Sequence, residues 1–282
     1  MDKESLFMNS AQETVNTTQE TENSPEQGVF ARFEIKYFLP KQNAAFFKDT
    51  ILKYMRPSHP IPGTKYTDVE SVYFDSPDFW IYRTHFTSPQ KRFKIRMRGY
   101  APNGIPDGNA HLELKSKDAD FSRKTRFQIS DGDKWDLSNG GSVSHSLGMR
   151  SRNQNLTERQ LEERVNQMNE LILANGLRPS YVIRYQREAY ERETLRVTID
   201  DRISFEPVQS VSGLHSMFQT DPKLSELASN MNAEFRRGEY VILEIKHAGE
   251  VPGWVNETLK TADCKKAKFS KYCYCITETL LR

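Results

Sequence analysis

Charged and apolar residues alternate along several stretches of the chain, and a period of two predicts β-strands with one charged and one apolar face. The clearest stretch is residues 92–98, where Arg92, Lys94, Arg96 and Arg98 share one face and three apolar residues share the other. Same-face positions lie about 7 Å apart, so these charges repel one another unless an anion lies over them. A solvent-exposed face screened by salt is the alternative interpretation.

Shorter stretches with the same alternation predict further strands, mostly in antiparallel order, and helical spacing predicts helices between them. A capping box at Thr157 and Gln160 begins the clearest helix, which ends at Asn175 and Gly176. The other predicted helices are residues 41–55, 221–236 and 253–281, and the other predicted strands are residues 32–40, 69–75, 111–117, 124–129, 181–190, 195–200, 202–206 and 240–246.

The charged strand faces need an environment of their own once helices cover the apolar faces. They lie open to water, or they close into a barrel with a wet, cationic interior. Closure explains more, because a barrel has no free edges and surrounds a linear anion. We therefore expect an α+β fold, an antiparallel β-barrel tunnel with helices packed on the outside, over residues 29–282. Residues 1–28 are too polar to order themselves, and we expect a disordered tail there.

Composition limits the classes of function. The 282 residues include 40 Lys and Arg against 38 Asp and Glu, a net charge of +2, which argues against a general nucleic-acid binder. Cys264, Cys273 and Cys275 fit neither a disulfide framework nor a zinc site. No run approaches the roughly 18 apolar residues of a membrane span, and neither a P-loop nor a Rossmann motif occurs. We expect a cytoplasmic chain without a membrane span.

The charged motifs together resemble the vacuolar transporter chaperone (VTC) polyphosphate polymerase domain, which belongs to the triphosphate tunnel metalloenzymes. The likeness runs in order from about residue 30 to 275. It is carried by Arg32-x-Glu34-x-Lys36-Tyr37, Ser71-Val72-Tyr73-Phe74-Asp75, Arg92-x-Lys94-x-Arg96-x-Arg98, Glu113-x-Lys115-x-Lys117, Arg196-x-Thr198-x-Asp200, Glu244-x-Lys246 and Phe269-Ser270-Lys271-Tyr272.

The resemblance implies a tunnel barrel that binds ATP and polyphosphate or triphosphate with Mn²⁺ or Mg²⁺, and that moves the γ-phosphoryl of ATP onto a growing polyphosphate chain. One position departs from the wider superfamily. Arg32 stands where the hydrolases carry the first acid of a Glu-x-Glu-x-Lys strand, which weakens a hydrolase interpretation. The resemblance does not extend to the SPX and transmembrane parts of the eukaryotic complexes, so a membrane partner for export of the product stays open.

Phosphoryl transfer needs charge neutralisation, which cations supply, and a hard metal, which carboxylates bind. Glu244 is the expected metal ligand; Glu34, Glu113 and Asp200 are weaker candidates that could equally be salt-bridge partners. Lys271 is included on the resemblance alone. The expected catalytic residues are Lys36, Arg96, Arg98, Lys115, Arg196 and Lys271, and the expected substrate-binding residues are Arg32, Arg92, Lys94, Lys117, Lys124, Arg126, Arg184 and Lys246.

Three functions remain open at this point. An ATP-dependent polyphosphate polymerase is favoured, by Arg32 and by the Phe-Ser-Lys-Tyr segment that ends at Tyr272. A metal-dependent inorganic or nucleoside triphosphatase is the second. A noncatalytic polyphosphate-binding module is the third, and the apparent metal ligand Glu244 argues against it.

Overall fold

The structure, a computed structural model, describes residues 32–58, 63–88, 90–118, 121–144, 152–208, 222–230, 235 and 238–281. The expected tail, residues 1–28, lies outside them. The strands are β1 (Arg32–Pro40), β2 (Arg56–Pro57), β3 (Thr67–Asp75), β4 (Lys91–Pro102), β5 (Ala110–Asp118), β6 (Phe121–Ile129), β7 (Arg178–Arg192), β8 (Leu195–Pro207), β9 (Tyr240–Ala248) and β10 (Lys265–Ala267). The helices are α1 (Ala44–Ile51), α2 (Trp80–Thr87), α3 (Asp131–Ser138), α4 (Glu158–Ala174), α5 (Pro222–Asn230), α6 (Gly253–Thr261) and α7 (Lys271–Leu280).

The strands form one antiparallel sheet in the order β10-β1-β9-β8-β7-β3-β4-β5-β6, with β2 paired to β7. Within the described residues no backbone pairing joins β10 to β6, so hydrogen bonds do not close the sheet into a complete barrel. The sheet nevertheless curls like a tunnel, because Lys115 of β5 reaches Glu34 of β1 at 3.4 Å. We call the face that carries these two side chains the inner face.

The outer face carries the apolar residues that alternate with the charges, and helices cover it. Ile95 of β4 and Leu112 of β5 share a buried cluster with Val165 of α4. Leu243 of β9 shares a second cluster with Phe47 of α1. Full burial of each such side chain contributes about 1.5–3 kcal/mol, so this face holds the helices against the sheet. The expected α+β tunnel fold is thus confirmed, with α1, α4 and α6 on the outside.

The inner face becomes aromatic toward one end, where β1 and β3 carry Phe38 and Tyr73. The ring centroids of Phe38 and Phe269 lie 5.7 Å apart, and those of Tyr73 and Tyr272 lie 5.0 Å apart. Helix α7 and the residue pair before it therefore pack against the inner face. Helix α7 thus adds an internal helix to the expected external ones, because rings rather than charges occupy the inner positions at this end.

Two local predictions also need correction. The helical stretch expected at 253–281 is two helices, since Asp263 takes a left-handed φ of 53° and residues 265–267 then pair with β1 as strand β10. The strands expected at 195–200 and 202–206 are one strand, β8. Helices α2 and α3 were not predicted. None of the helices in the described part of the chain is both long and apolar enough to cross a membrane.

Candidate functional site

Three lysines lie directly opposite one another across three neighbouring strands of the inner face. Lys94 of β4 pairs in register with Lys115 of β5, which pairs with Lys124 of β6. Like charges directly opposite one another destabilise a sheet. We call these three residues the lysine row. Two of its members have an acidic neighbour, Glu34 beside Lys115 and Glu113 beside Lys124, and both acids are shared with other cations.

Glu113 lies in the next row and gathers four cations around one carboxylate. It is almost fully buried, with 2% exposure. Its Oε2 accepts hydrogen bonds from Nε and Nη2 of Arg96 at 2.8 and 2.6 Å, and lies 3.9 Å from Nη1 of Arg98. Its Oε1 lies 3.0 Å from Nζ of Lys124 and 3.5 Å from Nε of Arg126. One carboxylate therefore holds four predicted phosphate-binding cations in place.

Electrostatics of this cluster leave a surplus of positive charge. Burial acts to raise the pKa of Glu113, but Arg96, Arg98 and Lys124 outweigh it and hold the pKa well below its usual range. Burial lowers the pKa of Lys124, and nearby arginines lower it further against the pull of Glu113. Burial likewise lowers the pKa of Lys115. A single carboxylate thus balances only part of the positive charge. The lowered pKa values show that the charged forms of Lys115 and Lys124 are disfavoured in the absence of a further anion.

A second cluster on β1 and β9 pairs two acids with two lysines. Lys36 Nζ lies 2.9 Å from Glu34 and 3.8 Å from Glu244, while Lys246 Nζ lies 3.0 Å from Glu244 and 3.6 Å from Glu34. Burial and Glu244 act to raise the pKa of Glu34, but Lys36, Lys115 and Lys246 together lower it. This Glu34–Glu244 cluster faces the lysine row, because Lys115 contacts Glu34.

Glu244 keeps its charge in a buried position. Burial acts to raise its pKa, and Lys246, Lys36 and other cations hold the pKa well below its usual range. Thr198 lies opposite Glu244 in register, and its buried hydroxyl has no hydrogen-bond partner in the part of the chain that is described. The described residues contain no group of three His, Cys, Asp or Glu that would hold a metal by themselves.

A third cluster brings Lys271 to the inner face. Asp200 of β8 accepts two hydrogen bonds from Arg187 of β7, at 2.6 and 2.7 Å, and Nζ of Lys271 lies 2.5 Å from its second oxygen. The ammonium of Lys271 also lies 4.5 Å from the ring centroid of Tyr185. Arg187 was missed by the sequence analysis. Its only sequence signal is its place on the same strand face as Tyr185.

Arg92, Lys117 and Arg196 lie on the inner face without belonging to these clusters. Arg92 and Lys117 lie opposite each other in register, one row beyond the lysine row. Arg196 lies opposite Lys246, which lies opposite Glu34. Arg32 begins β1, where its backbone pairs with Ala248. The strand pairing thus extends the charged surface to one end of the inner face.

Arg184 is the predicted residue that the structure does not bring to this surface. It lies opposite Glu70 on the outer face, and its guanidinium contacts Glu70 at 2.6 Å and Glu206 at 2.7 Å. The inner positions of β7 are instead those of Tyr185 and Arg187. The expectation for Arg184 was wrong because β7 carries polar residues on both faces, so alternation alone chose the solvent-exposed one.

The curled antiparallel sheet and its charged inner face define a tunnel-type α+β protein, the class that the resemblance implied. Residues 31–280 match the family model of the VTC domain. The chain therefore belongs to the VTC domain family, and the resemblance is confirmed.

Known proteins add little beyond the family. No curated protein matches the sequence. Among solved structures, the PH1819 protein from Pyrococcus horikoshii OT3 has a TM-score of 0.44 and 11% identity, covering 88% of this chain and 99% of that chain. The bh2851 protein from Bacillus halodurans has a TM-score of 0.44 and 13% identity, covering 86% of this chain and 94% of that chain. Both similarities are too distant to inform the chemistry.

Proposed function

We propose that this chain is a polyphosphate polymerase that transfers the γ-phosphoryl group of ATP to a growing polyphosphate chain, with Mn²⁺ or Mg²⁺. The lysine row carries the proposal, because Lys94, Lys115 and Lys124 lie side by side while the acids beside them, Glu34 and Glu113, are each shared with other cations and balance only part of the charge. ATP and polyphosphate each supply a run of negative charge. Membership of the VTC domain family supports this choice of ligand.

The proposed reaction needs no protein nucleophile, because positioning and charge neutralisation suffice for phosphoryl transfer. A terminal oxygen of the polyphosphate attacks the γ-phosphorus of ATP, the bond from that phosphorus to the β–γ bridging oxygen breaks, and ADP leaves. Arginine suits two-point contacts to phosphate oxygens. The proposed catalytic cations are Lys36, Arg96, Arg98, Lys115, Arg196 and Lys271, and the proposed binding cations are Arg32, Arg92, Lys94, Lys117, Lys124, Arg126 and Lys246.

Glu244 is the proposed metal ligand, and the residues around it fit a hard cation. Glu34 supplies a second carboxylate that shares Lys36 and Lys246 with Glu244, and Thr198 supplies a hydroxyl without a partner among the described residues. Magnesium commonly takes one or two carboxylates and completes its shell with phosphates and water. When bound, the metal would neutralise charge on the phosphates.

Product analysis tests the proposal. Purified protein is incubated with ATP and Mn²⁺, and the products are resolved by gel electrophoresis and phosphorus NMR. We expect long phosphate chains together with ADP. Free phosphate without chains would identify a metal-dependent triphosphatase instead. Binding of polyphosphate without turnover would identify a noncatalytic polyphosphate-binding module.

A further inference from the structure

We propose that Tyr272, held by the buried carboxylate of Asp75, is a positioning residue that places both Lys271 and Arg96 on the inner face. The inference rests on the proposed function in one respect, since it takes polyphosphate as the ligand of these two cations. The placement itself rests on contacts of α7 with β3 and of β3 with β4.

Asp75 ties three elements together at the end of β3. It is fully buried, with 0% exposure. Its Oδ1 accepts the backbone N–H groups of Ser76 and Ile81 at 2.8 Å, and its Oδ2 accepts the N–H of Tyr82 at 3.0 Å and the hydroxyl of Tyr272 at 2.5 Å. Burial raises the pKa of Asp75 to about 6, although these hydrogen bonds favour the charged form. A carboxylate buried away from water is stable only when protein groups donate hydrogen bonds to it. Asp75 therefore holds the hydroxyl of Tyr272 in a fixed position.

Tyr272 connects this anchor to Lys271 through the first turn of α7. The two residues are adjacent, so a shift or rotation of this turn moves both. Nζ of Lys271 lies 2.5 Å from Asp200 and 4.5 Å from the ring centroid of Tyr185. These contacts span from α7 to β7 and β8, and they depend on where α7 begins against the sheet.

Tyr272 also supports Arg96 through a stacked ring. Its ring lies 5.0 Å from that of Tyr73 between centroids, with 18° between the ring planes. The hydroxyl of Tyr73 accepts a hydrogen bond from Nη1 of Arg96 at 2.8 Å. Arg96 is thereby held on one side by Tyr73 and on the other by Glu113. Tyr272 is thus linked to two cations from different elements: to Arg96 through the ring of Tyr73, and to Lys271 as its neighbour in the chain.

The competing explanation is that Tyr272 is an ordinary core residue that only stabilises α7. Tyr82 offers a matched control, because it is also a fully buried tyrosine whose hydroxyl binds α7. Its partner is the Thr277 hydroxyl, 3.0 Å away and six residues beyond Lys271. Tyr82→Phe and Tyr272→Phe each remove one buried hydroxyl and keep the ring.

Affinity for tripolyphosphate without metal, measured by calorimetry, separates the two explanations. Both variants are expected to lower the melting temperature. Only Tyr272→Phe is expected to weaken binding, by about tenfold, which is the order of one charge-assisted hydrogen bond to phosphate that a displaced Lys271 would lose. Tyr82→Phe is expected to stay within about twofold of the wild type. Equal affinities for the two variants would overturn the positioning role.

A double-mutant cycle tests the route through Lys271. If Tyr272 acts partly by placing Lys271, Tyr272→Phe will cost less in a Lys271→Ala background than in the wild type. Additive losses would show that Tyr272 does not act through Lys271.

An NMR measurement on the protein without ligand distinguishes failure of the positioning role of Tyr272 from failure of the proposed polymerase function. The NMR signal of the Lys271 ε-methylene, assigned by its loss in Lys271→Ala, is expected to shift in Tyr272→Phe and to stay in place in Tyr82→Phe. An unshifted signal in Tyr272→Phe would overturn the positioning role. A wild-type protein that fails to bind tripolyphosphate would contradict the proposed function, while this signal still decides where Tyr272 places Lys271.

Discussion

Glu34 on β1 and Lys115 on β5 form an ion pair at 3.4 Å, although β9, β8, β7, β3 and β4 separate their strands in the order of the sheet. The pair joins two groups of charges that lie far apart in the hydrogen-bonding order. Glu34 belongs with Glu244, and Lys115 belongs to the lysine row. The proposed phosphate-binding cations and the proposed metal ligand therefore share one inner face.

Removal of one inner-face arginine should weaken polyphosphate binding, whereas removal of one outer-face arginine should not. Arg96→Ala is expected to lower affinity by roughly tenfold to a hundredfold, since charge-assisted hydrogen bonds contribute about 1.5–3 kcal/mol. Arg184→Ala is the matched control, because Arg184 is also paired with acids on a strand but lies on the opposite face. Calorimetric titration with polyphosphate measures both, with circular dichroism to confirm folding. Wild-type affinity in Arg96→Ala would contradict the assignment.

Glu244→Gln separates a metal ligand from a salt-bridge partner. The amide keeps the shape but loses the charge that a divalent cation needs, so we expect lost turnover and retained polyphosphate binding. Glu206→Gln is the control, because Glu206 lies on the outer face with Arg184. Turnover is measured against Mn²⁺ concentration, and affinity is measured without metal.

If Glu244 is only a salt-bridge partner of the neighbouring lysines, a different set of results is expected. The glutamine variant would then bind anions at least as tightly, lose thermal stability, and still turn over when the metal is raised. Full activity of Glu244→Gln at the wild-type Mn²⁺ midpoint would exclude Glu244 as a ligand.

Polyphosphate binding should take up protons at alkaline pH. Burial and neighbouring cations lower the pKa values of Lys115 and Lys124 below the ordinary 10.5, so these amines lose protons at a lower pH than free lysine. A bound polyanion raises both pKa values, so binding between the free and bound values draws protons from solution. Calorimetry at about pH 9.5 in buffers of different ionisation heat measures this uptake.

Arginine at the same positions provides the control for proton uptake. Arginine stays protonated at this pH, so the double variant Lys115→Arg and Lys124→Arg should bind polyphosphate without the uptake. Equal uptake by the wild type and the arginine variant would show that other groups supply the effect.

Glu113 should make stability depend on acid pH. Its pKa in the folded chain is held below the ordinary 4.5 by Arg96, Arg98 and Lys124 despite burial. Its contribution is therefore complete above the ordinary value and is lost as the pH falls through the folded value. Glu113→Gln is expected to lower the free energy of unfolding by about 3 kcal/mol at neutral pH. A fall from about pH 5 to about pH 3 should lower the free energy of unfolding more for the wild type than for the variant, as measured by urea unfolding. Parallel losses would contradict the assignment.

Much of the charged surface could be predicted from sequence, because strand geometry places alternate residues on one face. Arg96, Arg98 and Lys115 were found this way, and the structure brings all three to the inner face. Strand neighbours and register depend on contacts between distant segments. The lysine row and the gathering of cations around Glu113 therefore appear only in the folded chain.

The errors have equally physical causes. Arg184 and Arg187 lie on opposite faces of β7, and alternation cannot tell which face is the inner one when both carry polar residues. Lys271 was expected on the resemblance alone, because its place depends on packing of α7 inside the curled sheet, against Tyr73 and its neighbours. Local sequence shows the cap and the rings but not the surface that they meet.

The origin of the transferred phosphate decides whether this chain is a polyphosphate polymerase that uses ATP. The protein is incubated with Mn²⁺ and ATP that carries radioactive phosphorus at either the γ or the α position, and the polymer is separated on a gel. We expect label in the polymer from γ-labelled ATP alone, with one ADP formed for each phosphate added. Label from γ-labelled ATP that appears only as free phosphate, or polymer labelled from the α position, would contradict this expectation.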